Sequence, residues 1–177
     1  MYHRLKIYAL IIGAIFVLLT SLGAVLVLGL GAGHREIPRT GEKELAVNIQ
    51  AAFGKLYISR GDSKKICTVD IKEDDRGKTK GSMNYRVSGG IGKLDLDLNK
   101  SDTWHDGDEG GDHFKLKDIE TGTWYLRFTD AIPISFNLEL GAGKGEFDCS
   151  GLKIKNFTLS AGASSVVLRF REPNKST

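Results

Sequence analysis

The chain has 177 residues, of which 41% are hydrophobic and 27% charged, with a formal net charge of +3. One long apolar block opens it, and the roughly 140 residues that follow suit a single domain, so no second one is needed. Lys and Arg alternate with Asp and Glu, and no basic run is interleaved with aromatics, so nothing points to nucleic acid as a partner.

From Ile7 to Ala32 no residue is charged. At about 1.5 Å rise per residue a helix of this length exceeds the roughly 30 Å hydrocarbon core of a bilayer, so the stretch predicts one transmembrane helix over 7–32. A cleaved signal peptide is the weaker reading, because its apolar region runs only about 7 to 15 residues. No Cys lies near its end to accept a lipid. The head, residues 1–6, carries Arg4 and Lys6, whereas His34, Arg35, Glu36, Arg39, Glu42, Lys43 and Glu44 balance cations with acids. The positive-inside rule therefore places the head in the cytoplasm and the rest outside a bacterial cytoplasmic membrane. Small residues four apart, Ala9 with Gly13 and Gly29 with Gly33, are explained by the ordinary abundance of Gly in such helices. Residues 33–44 read as a linker.

Beyond Pro38 the pattern changes to period-two alternation, the mark of strands with one buried face. Leu45, Val47 and Ile49 alternate with Ala46 and Asn48. The same holds for Cys67, Val69 and Ile71, for Leu94, Leu96 and Leu98, for Phe136, Leu138 and Leu140, and for Val166, Leu168 and Phe170. No stretch after Thr40 offers helical spacing over ten residues, so residues 45–172 are predicted to form an all-β domain, with a tail at 173–177.

A phrase of small residues interrupts these strands: AAFGKLYI near Phe53, GGIGKLDLDL near Ile91, LGAGKGEFDC near Ala142 and SAGASSVVL near Ala161. The intervals are 38, 51 and 19 residues, which a unit of about 19 with one insertion accounts for. Such a period predicts a solenoid-like or rolled sheet, mixed antiparallel and parallel, of stacked short strands, with Gly where a strand bends or a backbone comes close. The insertion is KSDTWHDGDEGGDHF, Lys100 to Phe114, and is expected to form an exposed loop.

These features carry a resemblance. SGGIGKLDL (Ser88 to Leu96) and TWYLRFTDAIPISFNLELGAGKGEFDCSGLKIKNFTLSAGAS (Thr123 to Ser164), in this order and spacing, resemble the bacterial toast-rack domain family. That family includes LiaF-like cell-wall stress regulators and related domains classed as putative adhesins. The resemblance spans about Leu45 to Phe170. It implies a fold and an envelope location, and it brings no catalytic residues to transfer. The chain departs from LiaF-like members in stopping soon after Pro173 and in offering one membrane helix where they have several.

Chemistry is sparse. His105 and His113 are the histidines expected inside the domain, and they flank Asp106, Asp108, Glu109 and Asp112. This set could hold Ca²⁺ or Zn²⁺, but its spacing fits neither an EF-hand nor a zinc-protease helix, and a solvated loop is the better reading. No motif sets a Ser against a base. GAGKG, Gly141 to Gly145, lacks the spacing and the following helix of a phosphate loop and reads as a turn. No metal and no cofactor are expected. Cys67 and Cys149 could bridge, but both fall at inward strand positions and read better as core thiols.

The expected function is accordingly non-enzymatic: a membrane-anchored envelope module that binds a protein partner or copies of itself. Its contact surfaces would be exposed strand edges and the loop around Trp104. The alternative is adhesion to a cell-wall polymer or glycan, with Asp95, Asp97, Lys153 and Lys155 on outward faces as candidates.

Overall fold

The computed structural model describes residues 25–30, 33–72, 81–98 and 122–174. Among them the chain forms nine strands: β1 (Val25–Leu30), β2 (Gly33–Pro38), β3 (Glu44–Arg60), β4 (Lys65–Lys72), β5 (Gly81–Ser88), β6 (Ile91–Asp97), β7 (Thr123–Phe128), β8 (Ile134–Asp148) and β9 (Ile154–Arg169). All belong to one mixed sheet, which runs β1-β5-β6-β3-β7-β4-β2 with β8 and β9 stacked in turn on β3.

The frame is set by three long strands, β9 beside β8 beside β3, all parallel. Each bends near its middle, and the burial pattern shows where. In β3 the inward residues are the odd-numbered Leu45, Val47, Ile49 and Ala51, then the even-numbered Leu56 and Ile58. In β8 they are Ile134, Phe136, Leu138 and Leu140, then Phe147. A strand that turns a corner must invert its alternation to keep the same side facing the core. Gly makes the inversion possible: Gly54 and Gly143 have φ of 121° and 137°, and they are register partners. A Cβ on Gly143 would be driven into the Gly54 carbonyl, and one on Gly141 would lie 2.5 Å from the Ala52 carbonyl oxygen.

The other edge of β3 is divided. Its first arm, Glu44–Gln50, pairs with β6, and its second, Lys55–Arg60, pairs with β7. β6 continues through antiparallel β5 to β1, and β7 through antiparallel β4 to β2. The core lies within the bend, where Phe128 meets Phe136 edge-on at 5.0 Å between ring centres. Trp124, Phe128, Phe136, Phe147 and Leu45 are among its fully buried side chains.

The all-β expectation holds for the described residues, and the sheet is rolled and mixed as the repeats suggested. The strands that carry the stack are long, however, at 17, 15 and 16 residues. One strand passes through the corner where a stack of short strands was expected. The repeat is corrected in part. Phe53 does face Ala142, but Ala142 faces Ala163 rather than Ala161, and Ile91 faces Glu44 rather than Phe53. A register shift at Ile134/Ser135 adds to the β8–β9 offset.

The N-terminal boundaries also differ. Val25–Leu30, the last part of the helix expected over 7–32, is strand β1, and His34 with its neighbours, expected in a linker, is strand β2. Apolar β-branched and leucine runs satisfy either period, and pairing with β5 decides for strand. No helix among the described residues is long and apolar enough to cross a membrane. Residues 7–24 lie outside them.

Candidate binding surfaces

Among the described residues three strands, β1, β2 and β9, are paired on one side only. An unpaired edge exposes a row of backbone donors and acceptors that another chain can join, unless charge, Pro or a bulge blunts it. β2 is blunted in each of these ways. Pro38 ends it, the ladder shifts at Ile37/Pro38, and His34, Arg35 and Glu36 line it. The His34 imidazole lies 2.6 Å from Asp70 Oδ1 and 2.8 Å from Glu36 Oε1, while Arg127 pairs with Asp70 and Lys65 with Glu36. The hydrogen bond to Asp70, then that to Glu36, raises the His34 pKa; Lys65 and His34 lower that of Glu36.

β9 carries these devices only at its ends, where the ladder shifts past Lys155 and where Arg169 closes the strand. From Asn156 to Leu168 it carries no charged residue and no Pro. It also leaves the end of the core uncovered. Phe157, Leu159 and Val166 pack on the core while half-exposed, and Val167, Leu168 and Phe170 are 37%, 42% and 50% exposed. In the rungs beneath, the equivalent residues have another strand over them: Phe136 lies under Phe157 and Phe147 under Leu168. The apolar residues on β9 are exposed because nothing among the described residues lies over them.

A second surface is the outer face of the first arms. Asp95, Asn48, Asn137 and Thr158 fall in one cross-strand row, and Asp97, Gln50, Glu139 and Ser160 in the next. Asn137 Nδ2 donates to Asn48 Oδ1 at 3.0 Å, and Gln50 Nε2 to Glu139 Oε2 at 3.3 Å. The second row borders an open groove of about 490 Å³ along the corner, floored by Ala52, Gly141 and Gly162. On the second arms, Tyr57 and Tyr125 stack at 4.9 Å, with Lys72 Nζ 5.3 Å from the Tyr125 ring centre. Their faces are occupied by one another and by Lys72, so the pair reads as cross-strand packing.

Buried polar groups serve the fold. Glu42, 2% exposed, accepts hydrogen bonds from the Thr40 amide (2.8 Å) and hydroxyl (2.7 Å), the Gly41 amide (3.0 Å) and the Tyr85 hydroxyl (2.6 Å). Burial pushes its carboxyl up, but the hydrogen bonds from Thr40 and Tyr85 outweigh it and bring the pKa down to about 2. The carboxylate ties the β2–β3 connection to β5. Cys67 and Cys149 are buried free thiols; burial raises the pKa of both, that of Cys149 to about 11. Neither is poised as a nucleophile.

Of the residues singled out from sequence, Asp95 is outward and 44% exposed at its side chain, within reach of Arg86 at 3.7 Å. Lys155 pairs with Glu44 at 2.7 Å, and Lys153 donates to the Ala131 carbonyl at 3.0 Å. Trp104, His105, Asp106, Asp108, Glu109, Asp112 and His113 lie outside the described residues. Among the described residues no three His, Cys, Asp or Glu side chains gather as a metal centre would. The open β9 edge was anticipated only as a class of surface. Its signal in the sequence is the uncharged run Asn156–Leu168.

A sheet rolled around one core, with Gly-cornered parallel strands and an edge left open, defines a β-solenoid-like module. The chain belongs to the family described as the N-terminal domain of toast_rack, DUF2154, which it matches over residues 32–177. No curated protein matches it. Among solved structures it is similar to a "putative cell adhesion protein" from Clostridium sporogenes, at 20% identity and a TM-score of 0.61. That match covers 86% of this chain and 64% of the other, so this chain spans less than two thirds of its relative's length. A "putative adhesin" from Bacteroides fragilis also matches, at 13% identity and a TM-score of 0.22, over 81% of this chain and 61% of that one.

Proposed function

We propose that this protein is a non-enzymatic, membrane-anchored module of the bacterial envelope that binds another protein by adding a strand to β9. The carrying observation is the long, uncharged β9 edge beside the uncovered apolar residues Phe157, Leu159, Leu168 and Phe170. Strand addition supplies affinity through main-chain hydrogen bonds, and the flanking side chains supply specificity. An adhesion role for the Clostridium sporogenes relative accords with this. The non-enzymatic reading is supported by the corner groove, which is lined by Gln50 and Glu139 but by no His or Cys. For the anchor, the support is the charge-free stretch upstream of β1: residues 7–24 number 18, against the roughly 17–25 that a span requires. The resemblance to LiaF-like regulators adds envelope-stress signalling as the setting.

The test is a photoreactive residue in place of Val167, irradiated in intact cells. Protein adducts at this position, with none from the same residue at Lys55 on the outer face of β3, are expected. No protein adduct at Val167 sinks the reading.

A cell-wall glycan is the second reading, favoured by the amide and carboxylate rows Asn48–Asn137 and Gln50–Glu139 beside the corner groove. It expects the protein to sediment with isolated wall and the Asn137→Ala/Glu139→Ala variant to stay in solution. Wild-type protein left wholly in solution would end it.

A further inference from the structure

We infer that the end of the first arms that carries the β5–β6 turn lies against the bilayer. There it binds anionic lipid headgroups through Lys43, Arg86 and Lys93, with Ile91 entering the interface. The inference rests on the anchor reading above and names the surface that the anchor brings to the membrane.

β5 runs towards the turn, and β1 is antiparallel to it, from Val25 opposite Arg86 to Leu30 opposite Gly81. β1 therefore runs away from the turn, and the chain reaches Val25 from the turn's side. The charge-free stretch 7–24 numbers 18 residues, close to the lower limit of the roughly 17–25 that a span requires. It holds no slack for a linker, so Val25 lies at the bilayer surface. Arg86 is level with it. The turn, two residues further along β5, lies about 7 Å closer to the lipid.

The residues placed there suit a headgroup layer. Ser88–Ile91 is a tight two-residue hairpin turn in which Gly89 and Gly90 have φ of 59° and 78°. A Cβ on Gly89 would meet nothing within 4 Å, and Ile91 beside it is 38% exposed. Cations surround this tip. The Lys43 amide donates to the Gly90 carbonyl at 2.8 Å, and the Lys43 side chain runs alongside Gly90. Arg86 and Lys93 are exposed and stand directly opposite one another across β5 and β6. Like charges so placed repel, and an anionic surface relieves the repulsion.

The carboxylates beside the turn are already engaged. Glu44, opposite Ile91, pairs with Lys155 at 2.7 Å, and Asp95 reaches Arg86 at 3.7 Å. Glu42 is buried among its donors from Thr40, Gly41 and Tyr85. Lys43 and Lys93 are thus left as exposed cations flanking an exposed isoleucine, a composition that holds a surface at the headgroup boundary. The opposite end of the same arms carries Asp97 and Glu139, which an anionic surface repels.

The experiment uses the full chain with Ile91→Cys, labelled with a fluorophore and reconstituted into vesicles that contain a lipid with a nitroxide at headgroup depth. Cys67 and Cys149 are buried and stay unlabelled. The control is Glu139→Cys, about 20 Å further along the strands. In vesicles containing phosphatidylglycerol, quenching at position 91 is expected to exceed that at 139 at least threefold. Lys43→Glu/Lys93→Glu should lower it at least twofold there and leave it unchanged in phosphatidylcholine alone. Circular dichroism of each variant shows that it is folded.

Equal quenching at 91 and 139, in protein that resists carbonate extraction, overturns the inference and spares the anchor. Quenching at 91 that is indifferent to the charge variant overturns headgroup recognition. Protein released by carbonate would sink the anchor reading and this inference with it.

Discussion

Glu42 holds a negative charge at a position that is 2% exposed, and four donors from Thr40, Gly41 and Tyr85 make that tolerable. Its folded pKa, about 2, lies below the ordinary value of 4.5. Its contribution to stability is therefore fully present above pH 4.5 and is lost as pH falls through 2. The difference corresponds to roughly 3 kcal/mol at neutral pH. Urea titrations at pH 7, 4.5, 3 and 2 should show this loss, and Glu42→Gln should flatten it while lowering neutral-pH stability by about 2 kcal/mol. The two cysteines make a contrasting prediction. With Cys67 and Cys149 at 0% and 1% exposure, a thiol reagent should label neither in the native protein and both after unfolding. Prompt native labelling would contradict their burial.

Each corner is decided by an element's position rather than its propensity. Gly143→Ala should cost several kcal/mol, because a left-handed φ of 137° and a collision with the Gly54 carbonyl act together. Gly41→Ala, with φ of 120° and nothing within 4 Å, should cost only the backbone strain, about 1–3 kcal/mol. Chemical denaturation of the two variants separates sterics from conformation. Edge strand β2 depends on a titrating group in the opposite sense to Glu42. The His34 pKa is raised by Asp70 and Glu36, so its contribution is present below 6.5 and is lost as pH rises through the raised value. Hydrogen exchange corrected for intrinsic rates should show β2 amides less protected at pH 8.5 than at pH 6. The His34→Ala variant should be pH-insensitive there.

On the scale of the whole molecule, the parallel pairing of β3 with β8 joins residues 89 apart, from Leu45 with Ile134 to Ile58 with Phe147. That loop must close before the pair is rewarded, and little local structure precedes it. Refolding by stopped-flow fluorescence of Trp124, which lies beneath the Gly54 corner, should take seconds rather than milliseconds. A microsecond phase carrying the full amplitude would contradict the topology.

Much of the fold was legible because alternation reports burial directly. The inward sides of Leu45–Ile49, Cys67–Ile71, Leu94–Leu98 and Phe136–Leu140 follow from period two alone. The corners were legible in part: Gly was expected where a strand bends or a backbone comes close, but it fits a turn between strands equally well, and Gly141–Gly145 read as such a turn. β1 and β2 were not legible: an uncharged run suits helix or strand, and a charged run suits a linker or a blunted edge. The surface that matters most was hidden for a related reason. Asn156–Leu168 reads as one more alternating strand, and sequence spacing carries no information about which strands lie beside it. By itself the sequence determined the class of structure and its inward faces, because burial is written locally as hydrophobic period. Tertiary structure alone decided the bends, the neighbours and the open edge, because these depend on what lies beside a strand rather than on what is in it.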